Sequence, residues 1–110
     1  MTDERIQKIK SAVESADHLS PQKKGELLNV LAKLQPAIAD VAQTHQADAE
    51  RISQFVETSA HEVATTKERP ENVDQVLNKL RQTVEKFEAS HPQLTNFVTE
   101  YSAALSNLGF

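Results

Sequence analysis

The residues of this chain whose types and spacing could do chemistry sit near its middle. His45 falls on a core-type position of an apolar repeat, and Asp48 stands three residues on, close enough on a helix face to pair. Such a pair suits proton handling, metal binding, or a polar residue that fixes the register of a helix seam. A half-exposed pair where the seam meets solvent is the plainer alternative. Glu57 and His61 lie at i, i+4, with Glu62 beside them. Di-iron bundles instead use Glu-x-x-His pairs together with glutamates from further helices. His61-Glu62 opens like a zincin motif, but Thr65 occupies the place of the second histidine.

The remaining candidates are single residues. His91, in the turn Ser90-His91-Pro92, is read either as a surface contact or switch, or as part of the turn's capping and packing. Phe97 and Tyr101, one helical turn apart, either line a small-molecule pocket or belong to the core. The chain has no cysteine, which removes thiolate ligands, a Cys nucleophile and any disulfide framework. It has no glycine-rich phosphate loop, and its serines lack a nucleophile elbow. The expectation is a protein that is not an enzyme, with no catalytic residue, no metal and no cofactor.

The elements that must position these residues are helices. Two glycines and four prolines in 110 residues, in a background rich in Ala, Gln, Glu, Lys, Leu and Ser, make an all-α single domain the expected class. Thr2 is a plausible N-cap for a helix over about 3–17, whose stripe Ile6, Ile9, Val13 and Ala16 is narrow enough to pack at the edge of a bundle. Ser20 and Pro21 supply the cap and first position of a second helix, with core residues Leu27, Leu28, Leu31 and Leu34. Pro36 would ordinarily end it. The apolar phase nevertheless runs straight on: Leu31, Ile38, His45, Ile52, Ser59 form one heptad row, and Leu34, Val41, Asp48, Phe55, Glu62 the next. This continuity predicts one long, Pro36-kinked helix over about 21–66, spanning roughly 69 Å at about 1.5 Å per residue.

Lys67-Glu68-Arg69-Pro70 reads as a connector to an antiparallel helix over about 71–89, which carries Val73, Val76, Leu77, Leu80, Val84 and Phe87 on one face. That helix reaches back only to about residue 47 or 48 of the rod. Ser90 and Gln93 are spaced as a capping box for a last helix bearing Leu94, Phe97, Val98, Tyr101, Leu105 and Leu108. Leu108-Gly109-Phe110 fits a Schellman ending. The expected fold is thus an antiparallel bundle of four to five helices organised on the long rod.

Charge and assembly follow from the same pattern. Residues 36–66 carry one basic and five acidic groups, so a charge equal to the whole chain's net -4 resides on the arm of the rod beyond Pro36. An acidic rod disfavours nucleic acid, which asks for a basic face, and disfavours binding at a membrane surface. The segment MTDERIQKIKSAVESADHL lacks the apolar run of a signal peptide, so a soluble, cytoplasmic chain is expected. The unpartnered half of the rod suggests a homodimer, or an unidentified protein partner, at an interface of Ile38, Val41, His45, Asp48, Ile52, Phe55 and Val56.

The segment VEKFEASHPQLTNFVTEYSAALSNLGF, through Phe87-Glu88-Ala89-Ser90-His91-Pro92 and Ser106-Asn107-Leu108-Gly109, resembles a family of small bacterial helical proteins known only as a domain of unknown function. The segment LSPQKKGELLNVLAKLQPAIADV resembles that family's helix-proline-helix opening. The resemblance implies an all-helical fold and a bacterial setting, and no activity. The function expected is that of a small helical interaction or scaffold protein acting through a helix face. The alternative is a ligand- or metal-binding bundle, catalytic in one version, using His45 and Asp48 or Glu57 and His61.

Overall fold

A computed structural model describes residues 3–65 and 73–107, which form five α-helices: α1 (Asp3–Glu14), α2 (Pro21–Ala42), α3 (Gln46–Thr65), α4 (Val73–Glu85) and α5 (Pro92–Ser106). The cap at Thr2, the connector at 67–70 and the ending at 108–110 lie outside the described residues.

Helix α2 starts as its sequence requires. Ser20 is extended, with φ -68° and ψ 156°, and its hydroxyl accepts the Lys23 backbone N–H at 3.2 Å, while Pro21 fills the first position. The helix then runs unbroken through Pro36, whose ring is exposed, so the Ala32 carbonyl deprived of its usual partner also lies on the solvent side.

The expected rod to residue 66 does not form. Helix α2 ends at Ala42 and the chain turns back through Gln43, Thr44 and His45 before α3 begins. The last turn tightens, with Gln43 N–H donating to Asp40 O at 3.3 Å and Thr44 N–H to Val41 O at 3.2 Å. A rod of about 69 Å would also exceed the longest dimension of the molecule, 38 Å. The heptad phase survives this turn because both helices face the same core. Phase continuity therefore does not distinguish a rod from a tight hairpin, and burial of both stripes against one another decides for the hairpin.

Helices α2, α3, α4 and α5 form a closed ring in which each touches two neighbours, and α1 packs outside it against α2 and α3. Neighbours in the ring run antiparallel. Lys86, just past α4, meets Asp48 in the first turn of α3 at 2.8 Å, while Lys33 and Asp40 of α2 meet Glu100 and His91 at 3.4 and 3.5 Å. The core holds Leu27, Leu31, Leu34, Ile38, Ile52, Val56, Leu80, Leu94 and Leu105, all essentially without solvent contact.

Helix α1 presents the narrow stripe its sequence indicated: Ile6, Ile9 and Val13 are buried, followed by Ala16 and Leu19 in the connection. It runs in the same direction as α3, since Arg5 pairs with Glu50 and Glu57 while His18 reaches Val63. Ala49, Ser53, Ala60 and Ala64 are all buried on the flank of α3 beside Glu50 and Glu57. Their small side chains place little bulk between α3 and α1. Lys24 Nζ donates to Glu14 O at 2.9 Å, satisfying a carbonyl that the end of α1 leaves without a helical partner.

Gly25 lies exposed in α2, and a Cβ added there would meet nothing within 4 Å. Gly25→Ala is expected to stabilise the fold by about 0.5–1 kcal/mol, because glycine costs that much in a helix interior. The check is a urea titration: the midpoint rises while the slope stays constant.

Candidate functional site

The α2–α3 and α4–α5 turns meet at one corner of the bundle, around Phe87. This ring is buried, and two histidines pack on it edge to face: His45 at 5.2 Å between centroids and His91 at 5.9 Å, with interplanar angles of 73° and 70°. Lys86 Nζ lies 5.5 Å from the same ring centroid. His45 itself is exposed, with Nδ1 2.9 Å from the Thr44 hydroxyl. The polar residue in the apolar row thus marks the corner of a hairpin, not the interior of a seam.

Asp48 takes Lys86 as its partner, where the sequence suggested His45. Lys86 Nζ donates to Asp48 Oδ1 at 2.8 Å. That hydrogen bond is the main cause holding the Asp48 carboxyl below its ordinary 3.8; partial desolvation opposes it, and the charges of Lys86, His45 and Arg51 add to the lowering.

Around His91 the expected capping box is not formed. His91, with φ -136° and ψ 65°, is the N-cap of α5 and makes no side-chain cap bond. Backbone bonds hold the turn instead, with Phe87 N–H donating to Val84 O at 2.9 Å and His91 N–H to Phe87 O at 2.6 Å. The imidazole turns to α2, with Nδ1 3.5 Å from Asp40 Oδ2. The sequence does hold one Glu-x-x-His, Glu88 to His91, but it spans this turn, where Glu88 is exposed, so the two side chains do not share a helix face.

Glu57 and His61, by contrast, stay one turn apart on the same face of α3 and line one concave surface beside α1, but Glu57 is taken up by a cation. Glu57 accepts from Arg5 Nε at 3.0 Å, and Arg5 also pairs with Glu50, so the cation of α1 bridges two acids about two helical turns apart on α3. His61 is exposed; Thr65, in place of the second zincin histidine, donates its hydroxyl to His61 O at 2.8 Å. Among the described residues no three His, Asp or Glu side chains gather to hold a metal ion.

The interface expected on the rod is turned inward. Ile38, Val41, Ile52 and Val56 have no solvent contact at all, and Phe55 is half-buried against the core. These residues spend their apolar surface within the chain, which corrects the expectation of an outward stripe.

A groove of about 960 Å³ instead opens between α1 and the outer side of α3. Its α1 wall presents Glu4, Lys8 and Ser11, and its α3 wall Gln54, Thr58 and His61, each a row at i, i+4, i+7. Ile9, Ala12 and the stem of Arg5 lie between them. A smaller hollow of about 310 Å³ opens between Ala37, Asp40, His91 and Gln93 at the start of α5. Sequence spacing could not have shown the large groove, because it depends on α1 lying beside α3.

Tyr101 proves to be core, with a polar contact the sequence did not reveal. Its hydroxyl donates to Val56 O at 3.1 Å and lies 2.6 Å from the Ser59 hydroxyl, which is itself 3.1 Å from Val56 O. Burial pushes the Tyr101 hydroxyl far above its ordinary 10.0, and the Ser59 hydrogen bond opposes this only in part. Ser59 in an apolar heptad row was the available signal.

Two titrations test these assignments. Because the folded state keeps Tyr101 protonated while the unfolded chain ionises near 10.0, stability is expected to fall as pH rises above about 10, by up to about 1.4 kcal/mol per pH unit. Tyr101 is the sole tyrosine and there is no tryptophan, so phenolate absorbance reports it alone, and Tyr101→Phe removes its share of the alkaline loss. In the acid range, an NMR titration should place Asp48 below an ordinary aspartate, and Lys86→Gln should return it towards 3.8. The chain matches no family model, no curated protein and no solved structure.

Proposed function

We propose that this chain is a small helical interaction protein that reads its partner through the groove between α1 and α3. The observation that carries the proposal is the groove itself. Two parallel helices hold polar rows at i, i+4, i+7 on either side of an aliphatic floor, over a length of about two helical turns. A helix laid in such a groove buries an apolar face between polar flanks.

The aliphatic residues first expected to meet a partner, Ile38, Val41, Ile52 and Val56, are committed to the core, so the reading rests on Lys8, Gln54 and Thr58. A second copy of the chain and a different protein both fit the reading. A bacterial setting belongs to the same proposal, supported by the resemblance of the FEASHP segment. Among the described residues, no helix is long and apolar enough to cross a membrane.

The test is a photocrosslinking residue placed at Thr58 in the groove and, as a control, at the exposed Gln82 on α4. A discrete crosslinked product from position 58, absent at 82 and weakened about tenfold by Lys8→Glu, is the expected result. Equal labelling from both positions would remove the groove from consideration.

A further inference from the structure

The ring of α2, α3, α4 and α5 closes without α1, since each of its members touches two others. Helix α1 adds a fifth element on the outside. Its seam is three buried side chains wide, Ile6, Ile9 and Val13, and the groove along α3 shows that one of its flanks is left open. Its bed includes the short side chains of Ala49, Ser53, Ala60 and Ala64, which offer little surface per residue to hold a neighbour.

The polar ties of α1 are of a particular kind. Arg5 bridges Glu50 and Glu57, whose side chains keep 52% and 34% of their surface in solvent, so salt weakens this tie. Lys24 holds the last carbonyl of α1 from an exposed position. Beyond that point the chain is fastened to the ring: His18 Nε2 bonds to Val63 O at 2.9 Å, Leu19 is buried, and Ser20 caps α2. Between the two lies Ser15-Ala16-Asp17, with Ser15 and Asp17 exposed.

From this arrangement we infer that α1 is a strap: it lifts from the folded ring as one unit, hinged at 15–17, and the Arg5 bridge to Glu50 and Glu57 sets how often it opens. Lifting uncovers the α3 flank of Ala49, Ser53, Ala60 and Ala64 together with the apolar stripe of α1 itself. The strap thereby controls access to a surface that the closed molecule hides, and it does so whether or not the groove takes a partner.

Hydrogen exchange on the full-length chain tests this directly. The amides of Ile9 and Val13 are expected to exchange about 100-fold faster than those of Leu31 and Ile52, as a locally opening unit does. Arg5→Ala, and separately 0.5 M salt on the unaltered chain, should speed α1 a further two- to fivefold and leave the ring amides unchanged. Glu50→Gln gives a second, milder variant with the same direction. Equal exchange rates in α1 and the ring would overturn the inference, as would an Arg5→Ala effect spread evenly over all five helices.

Discussion

Reversal of the chain at Gln43, Thr44 and His45 brings the apolar stripes of α2 and α3 onto one core, and the other contacts follow from it. Once α2 and α3 lie side by side, α4 can cover α3 and α5 can cover α2, which closes the ring. No glycine or proline forces the turn. Its cause is energetic: an extended rod would leave much of the Leu34 to Val56 stripe in water, at about 1.5–3 kcal/mol for each large apolar side chain. Breaking the helix costs only a few backbone hydrogen bonds, which water and the tightened last turn replace. Phe87, set between His45 and His91, then fastens this corner to the opposite turn.

The charge distribution takes its meaning from the same topology. Counted along the sequence, residues 36–66 are strongly acidic. In space, those acids meet bases contributed by other parts of the chain: Asp48 meets Lys86, Glu50 and Glu57 meet Arg5, and Asp40 faces His91. The acidity that looked like a property of one surface is largely consumed in holding helices together. Most of these pairs are solvent-exposed and individually weak, about 0–1 kcal/mol, so they select among arrangements more than they drive folding. They favour α1 on α3 and the α4–α5 turn against the α2–α3 turn.

Class, helix count and most of the core were legible in the sequence. The stripes of α1, α4 and α5 and the Ser20-Pro21 start report local periodicity and capping, which a single chain carries in full. Antiparallel reach was legible too, since helix length alone put the end of the fourth helix near residue 48, where Lys86 meets Asp48. What failed was the inference from phase to a rod, because a three-residue turn preserved the phase. Its available sign was the polar run Gln43-Thr44-His45-Gln46 in the middle of a buried row. The groove was not legible at all, since its facing wall residues stand 50 positions apart in the chain, on helices whose parallel approach rests on tertiary packing.

The polar group at the centre shows how such a bundle keeps one alignment. Tyr101, Ser59 and Val56 O make three short oxygen contacts with only two hydroxyl protons between them. At any instant two contacts are hydrogen bonds and the third is a close approach of lone pairs. Both hydroxyls can donate to Val56 O, or one can donate to Val56 O while the other donates to that hydroxyl in turn. Every one of these arrangements satisfies both hydroxyl protons, so none leaves a buried donor unmet. Sliding α5 along α3 by one turn would break this triangle and leave hydroxyls in apolar surroundings, at about 1–3 kcal/mol each. The apolar contacts around them would tolerate such a slide far better, because Leu, Ile and Val stripes repeat every turn. A small polar cluster reaching across the core therefore fixes the register of α5 relative to α3, in a core whose apolar packing alone admits neighbouring registers.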